Sequence, residues 1–165
     1  MKQITLDAVD VALLNQLQTD SSITNQELAK RVHVSPATCL RRVKRLTDSG
    51  FIARQIAVLD TDLVARQLGH GLTVIAEITL DRQGHEALAA FEARVAPDTA
   101  VQQCYRVSPG PDFILVVHAS DMPDYLALSQ RLFTSDANVR NVKAFFSVRR
   151  AKFEPRVALG RPARP

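Results

Sequence analysis

Residues 34–50 read VSPATCLRRVKRLTDSG. Ser35 offers a side-chain oxygen to the free amides of a helix start. Pro36 takes the first helical position, where its missing N–H costs nothing. Gly50 closes the segment as a left-handed C-terminal residue would. Between them stand four basic side chains within five residues, Arg41, Arg42, Lys44 and Arg45, with Cys39, Leu40, Val43 and Leu46 as the inward stripe. A basic helix alone is also explained as a charged, solvated face, because Arg and Lys are good helix formers. The neighbouring sequence decides between the two.

The same punctuation occurs twice upstream. Asp7 caps a first helix, with Leu6 and Val11 at the staple positions. Thr24 and Glu27 form a capping box for a second helix, stapled by Ile23 and Leu28. The spacing predicts helices over about 7–18, 24–32 and 35–48. All are too short to stand alone, so they pack on one another. Leu13, Leu14 and Leu17 serve the first stripe; Leu28, Ala29 and Val32 serve the second. Only His33-Val34 separates the second helix from the third cap, so the two cross steeply, as in a helix-turn-helix. The third helix then presents Pro36, Ala37, Thr38, Arg41, Arg42 and Arg45 outward, with Lys44 to one side. Small residues at its start allow close approach to base edges, and its arginines reach guanine or phosphate. With Ser35 and the helix amides as a further phosphate site, the segment reads as a DNA-binding helix.

The 165 residues, 46% of them hydrophobic, can build one core or two small domains. The net charge is +4, and it is uneven. Asp62 to Asp136 is acidic on balance, while Arg140 to Arg164 is basic with Glu154 as its only acid. Two distant cysteines, Cys39 and Cys104, exclude a sulfur-rich metal site. No apolar run approaches the roughly 18 residues of a membrane span, and no signal sequence is visible. The expectation is a reduced, cytoplasmic, nucleoid-associated protein without membrane contact.

A β-rich ribbon, Phe51 to Asp60, leads to a break at Gly69-His70-Gly71. Beyond it the periodicity predicts strand 73–80, helix 83–95, strands 100–107 and 113–118, helix 123–133 and strand 139–148. The order βαββαβ is the ferredoxin-like split unit. The fold class is therefore α+β. Residues 1–52 form a helix-turn-helix (winged-helix-like) domain, 53–71 a linker strand or hinge, and 72–150 a βαββαβ ligand-binding and oligomerisation domain. Residues 151–165 form a basic Pro/Arg-rich tail, read as disordered, which adds at most non-specific DNA attraction. Two helices cover one sheet face; a second copy of the domain is the simplest cover for the other, which argues for a homodimer.

No catalytic constellation is present. His33, His70, His85 and His118 have no carboxylate or cysteine partners at ligand spacing, and neither metal nor cofactor is expected. One turn stands out, Val107-Ser108-Pro109-Gly110-Pro111-Asp112-Phe113. A carboxylate beside oriented backbone amides suits a free amino acid; a plain hairpin turn accounts for the same residues.

Taken in order, Leu6-Asp7, Asp10, Leu13-Leu14, Asn25, Glu27-Leu28-Ala29, Ser35-Pro36, Cys39, Arg42-Val43, Leu46, Gly50-Phe51-Ile52 and Glu77-Ile78 resemble the Lrp/AsnC family of transcription regulators, from about Leu6 to Arg150. The resemblance implies a DNA-binding domain, a ligand-binding domain dimerising through its sheets, and assembly as far as an octamer. It also implies an amino-acid effector bound between dimers near the turn into the third strand. Arg106, Pro109, Gly110, Asp112, Phe113, Met122, Phe145 and Ser147 match effector positions. Their apolar members favour a leucine-, methionine- or aromatic-like side chain. The family usually writes the turn Gly-Asp-x-Asp-Tyr, and here Pro109 to Phe113 keeps only the second acid, as Asp112. His33 stands where the family often has glycine, at a position for a left-handed backbone. Two alternatives stay open: a nucleoid-like architectural DNA-binding protein without effector, and a tetrapyrrole decarboxylase on the same fold.

Overall fold

The computed structural model describes residues 5–68 and 71–160. The break at Gly69-His70 and the last five residues of the tail lie outside these. The chain divides into two compact units. One holds the residues up to Val58 together with those from Lys152; the other is Leu59–Ala151.

The first unit contains α1 (Ala8–Thr19), α2 (Asn25–Arg31) and α3 (Pro36–Asp48). Asp7, Thr24 and Ser35 each cap a helix as expected, but the Thr24–Glu27 box forms only in its Thr24 half, because the Glu27 carboxylate accepts from Arg31 Nε instead. Asp7 Oδ1 accepts from the Asp10 N–H at 2.9 Å, and Asp10 Oδ2 accepts in return from the Asp7 N–H. Thr24 caps α2 through the Glu27 N–H and Ser35 caps α3 through the Thr38 N–H. The α2–α3 corner depends on His33, whose φ is +57°. Its N–H bonds to Lys30 O and the Val34 N–H bonds to Ala29 O. This pair of bonds closes a Schellman turn, which needs a left-handed residue at that position. The side chain of Asn25 ties the two helix starts together, donating to Pro36 O at 2.9 Å. Leu13, Leu28, Ala29, Cys39 and Leu46 fill the core between the helices.

Two elements differ from the expectation. Leu40, assigned to the inward stripe, is 61% exposed. The tail, read as disordered, has a defined path over 152–160. Its Val157 pairs with the α1 side chain of Gln18: the Val157 N–H donates to Gln18 Oε1 at 2.7 Å, and Gln18 Nε2 donates to Val157 O at 3.2 Å. Leu159 packs against the helical core. Pro and Arg dominate the tail's composition, and they mask two apolar residues spaced by two, the spacing at which an extended chain presents one face.

The second unit opens with a helix where a linker was expected, α4 (Thr61–Leu68). Asp60 Oδ1 accepts from the Asp62 and Leu63 amides at its start. The preceding residues, 53–60, form neither helix nor strand, so the β-rich ribbon does not appear as a strand. Then follow β1 (Leu72–Leu80), α5 (His85–Val95), β2 (Val101–Arg106), β3 (Phe113–Ala119), α6 (Met122–Ser129), a π-helical turn over Gln130–Thr134, and β4 (Val139–Phe146). The sheet order is β2-β3-β1-β4, and each neighbouring pair is antiparallel. This is the βαββαβ unit read from the periodicity. Val74, Ala76, Ile78 and Leu80 alternate with Phe113, Leu115 and Val117 on the face covered by α5 and α6, and all are buried. On the other face Ile75, Tyr105 and Phe145 are among the exposed apolar side chains.

The left-handed backbone at His33 carries a steric cost of about 1–2 kcal/mol that glycine avoids. Glycine loses part of that gain to unfolded-state entropy. His33→Gly should therefore stabilise the protein by about 0.5–1 kcal/mol, read as a higher urea midpoint at unchanged slope. A lower midpoint would show that the imidazole makes compensating contacts.

Candidate DNA-binding helix and effector turn

The four basic residues of α3 divide into two pairs. Asp10, wholly buried on α1, draws one pair inward. Arg42 Nη1 lies 2.9 Å from Asp10 Oδ1 and 2.7 Å from Asp7 Oδ2, and Arg45 Nη2 lies 2.5 Å from Asp10 Oδ2. Burial works against a charged Asp7, but the Asp10 N–H and the Arg42 guanidinium outweigh it and hold the Asp7 carboxyl below the ordinary aspartate range. The Arg42 guanidinium is shifted up by its hydrogen bonds to Asp7 and Asp10. Arg41 and Lys44 make no ion pair among the described residues, and both are exposed. The outward row of α3 is therefore Ala37, Leu40, Arg41 and Lys44, with Arg45 at its edge, bound to Asp10 but still exposed. The expectation had Arg42 and Arg45 on that row and Lys44 beside it. Ser35, Pro36 and Ala37 are exposed at the helix start as expected, and Thr38 is half-buried with its hydroxyl accepting from Ser35 Oγ.

Asp10 organises this surface, a role that its place in the first helix did not by itself reveal. The available signal was the spacing of Asp7 and Asp10, the capping-box positions, opposite two arginines three residues apart on α3. The Asn25 side-chain bridge to Pro36 was likewise unexpected.

The effector residues fall in separate places. In the turn after β2, the Val107 N–H donates to Asp112 O at 3.0 Å, and Gly110 has φ +122°. Asp112 Oδ2 accepts from the Leu80 N–H at 2.7 Å and from Gln83 Nε2 at 3.3 Å. That carboxylate oxygen stitches the turn to the end of β1; Oδ1 makes no hydrogen bond among the described residues. Phe113 lies wholly in the core, stacked on Phe91 with ring centroids 4.6 Å apart, so it is not a wall for an effector outside the core. The alternation of β3 decides this, since the pleat sends Phe113 to the helix-covered face with Leu115 and Val117. Arg106 spans to α5, its Nε and Nη2 at 3.0 and 2.9 Å from Glu92 Oε1.

Met122, Phe145 and Ser147 lie towards the other end of the sheet. The Ser147 N–H donates to Thr73 O at 2.9 Å, and Phe145 pairs with Ile75. Thr73 and Leu80 stand at opposite ends of β1, about 23 Å apart at the usual rise per residue. An amino acid cannot bridge that span. Within one chain the eight residues therefore do not form one pocket.

Among the described residues, no group of three or more His, Cys, Asp or Glu could hold a metal ion. None of the described helices is long and apolar enough to cross a membrane.

Comparison with known proteins accords with both units. A winged helix-turn-helix DNA-binding model matches residues 6–53, and an Lrp/AsnC ligand binding domain model matches residues 73–157. An HTH-type transcriptional regulator of Haemophilus influenzae is 36% identical over 155 residues, 94% of this chain and 90% of that protein. The leucine-responsive regulatory protein of Rhizobium meliloti is 35% identical over 150 residues, 91% of this chain and 94% of that protein. Among solved structures, a transcriptional regulator from Neisseria meningitidis in complex with L-Met superposes with a TM-score of 0.79 at 27% identity, covering 93% of this chain and 97% of that one. The helix-turn-helix at the front of the chain and the βαββαβ unit behind it thus have their match in one group of proteins, and the chain belongs to the Lrp/AsnC family of DNA-binding transcription regulators.

Proposed function

We propose that this regulator binds operator DNA as a homodimer or a larger assembly of dimers. Its assembly or DNA affinity responds to an amino acid with a leucine-, methionine- or aromatic-like side chain. The observation that carries the first part is the sorting of α3. Arg42 is bound inward, Arg45 is held by Asp10 but stays exposed, and Arg41 and Lys44 project unpaired beside the small residues Pro36 and Ala37. The helix start approaches base edges through Ala37 and Thr38, with Ser35 and the first amides near phosphate. A symmetric dimer then reads half-sites whole helical turns apart, about 10 bp each.

The homodimer reading rests on the exposed sheet face, where Ile75, Tyr105 and Phe145 lack a cover. The effector reading rests on the two ends of the sheet. Asp112 keeps one carboxylate oxygen without a bond among the described residues, suited to an ammonium group. Met122 and Phe145 are apolar and about half exposed. Separated within one chain, these groups complete a site only where copies meet. Leucine-responsive relatives and the L-Met complex support the choice of side chain. The chain is read as a binding protein, with no enzymatic role assigned to any residue, and its place as the cytoplasm, on the nucleoid.

The test is binding to DNA from upstream of the protein's own gene, titrated at two salt concentrations against a scrambled duplex, with and without L-Leu, L-Met and L-Phe. Selective binding that shifts with one amino acid is the expected outcome. Selective binding unmoved by any amino acid would remove the effector; equal binding to both duplexes would favour an architectural protein.

Single substitutions sort the basic residues. Arg41→Ala and Lys44→Ala should each weaken binding and lower the slope of log K against log salt by about 1, with thermal stability unchanged. Asp10→Asn should instead destabilise the first unit by about 2–4 kcal/mol, because two guanidiniums lose a buried partner. Urea unfolding measures that cost, and an unchanged midpoint would show that the Asp10 pairs contribute nothing.

A further inference from the structure

We propose that Leu40 is a specificity-determining residue of the DNA-contacting helix, its side chain packing on the C5-methyl group of a thymine in the major groove. The inference rests on the reading of α3 as the groove-entering helix. Leu40 is 61% exposed, whereas its neighbours on the inner face, Cys39 and Leu46, are wholly buried. The residues one turn away on its own side are Ala37 and Lys44, three back and four ahead, and both are exposed. Arg41 follows it directly and is also exposed.

The direction of Leu40 is fixed. Arg42 and Arg45, on the opposite flank of α3, are bound to Asp10, so the helix cannot roll to bury the leucine without breaking both pairs. A large apolar side chain therefore stands permanently among cations. The surface that suits this row is anionic at its edges and apolar at one point.

The major groove of DNA has that composition. Phosphates line its rims, and among the four bases thymine alone presents a methyl group on its floor. Ala37, one turn earlier, leaves room for the helix to approach closely. Asp48, four residues beyond Lys44, places an exposed carboxylate at the far end of the same side. Phosphate is disfavoured there, so the contact is confined to the part of α3 that contains Ala37, Leu40, Arg41 and Lys44.

The test uses the full-length protein and a duplex selected by it from a random pool. Each thymine of that duplex is replaced in turn by uracil, which lacks only the C5-methyl. Wild type should lose affinity about three- to fivefold at one thymine per half-site. Leu40→Ala should lose a similar factor on the thymine duplex and show no further loss with uracil. Leu40→Met, which keeps an apolar reach, should retain the uracil sensitivity. The salt slope should be the same for all three proteins, since no charge is altered.

Selective binding without sensitivity to any thymine methyl would overturn the role of Leu40 while leaving the DNA reading intact. That role is equally overturned if the losses from Leu40→Ala and from uracil multiply independently. If Leu40→Ala changes the oligomeric state and not the uracil response, Leu40 faces another copy of the chain and the proposal fails. Failure of wild type to select any duplex would overturn the DNA reading itself, and the Leu40 contact with it.

Discussion

A buried carboxylate sets the geometry of the DNA-binding unit. Asp10 is fully removed from water, and a bare carboxylate in such a place carries a penalty of several kcal/mol. It is offset only by close partners on every side. The Asp7 N–H and the guanidiniums of Arg42 and Arg45 supply them. Lysine would serve less well, because a point charge cannot reproduce the directed N–H donors of a guanidinium. The requirement locks α3 to the start of α1 in one rotation. Which residues face outward is then a consequence. Arg42 is half-buried against Asp10, Arg45 is bound to it while staying exposed, and Arg41, Lys44 and Leu40 are left on the outside without an acidic partner among the described residues.

In the second unit the corresponding constraint is the alternation of the sheet. Every second residue of β1 and β3 goes to the helix-covered face, where Phe113 stacks on Phe91. The carboxylate next to it takes the Leu80 amide, so the turn from Val107 to Asp112 is fastened to the far end of β1. Met122, Phe145 and Ser147 belong to the near end. The sheet is rigid over that distance, and no rearrangement within one chain joins the two groups. A ligand pocket containing both groups would need residues from more than one chain.

The parts of this architecture that depend on local chemistry were legible in the sequence. Asp7, Thr24 and Ser35 act on amides two or three residues away, so their caps could be read without knowledge of packing. The βαββαβ order followed from periods of 2 and 3.6. The face of α3 was less legible. Hydropathy counts an arginine as solvent-facing and a leucine as core. Here a long-range partner, 32 residues before Arg42, reversed both assignments. Phe113 was misplaced for a related reason: its position beside the turn matched the effector pattern, while the pleat of β3 had already directed its ring inward. α4 escaped notice because it is only 8 residues long and follows a β-rich ribbon, although its apolar residues fall on one face.

The tail shows a subtler dependence. Its seat on α1 joins residues 139 apart in sequence through the Gln18–Val157 pair. Closing a flexible loop of that length costs on the order of 4 kcal/mol. Three hydrogen bonds of about 1 kcal/mol each, the Gln18–Val157 pair and Arg156 Nη1 to Thr19 Oγ1, and a partly buried leucine barely offset that in an unfolded chain. The second unit changes the arithmetic. Arg150 Nη2 bonds to Thr61 Oγ1 at 2.8 Å, so the chain leaves that unit beside the point where it entered. Once the sheet has formed, the closure is shortened from the whole intervening sequence to the segments on either side of that bond. The seat of Val157 and Leu159 on the helical unit is therefore favoured once the sheet has formed. A segment that adds to the helical core is thus favoured by the folding of the ligand-binding unit, through chain connectivity alone.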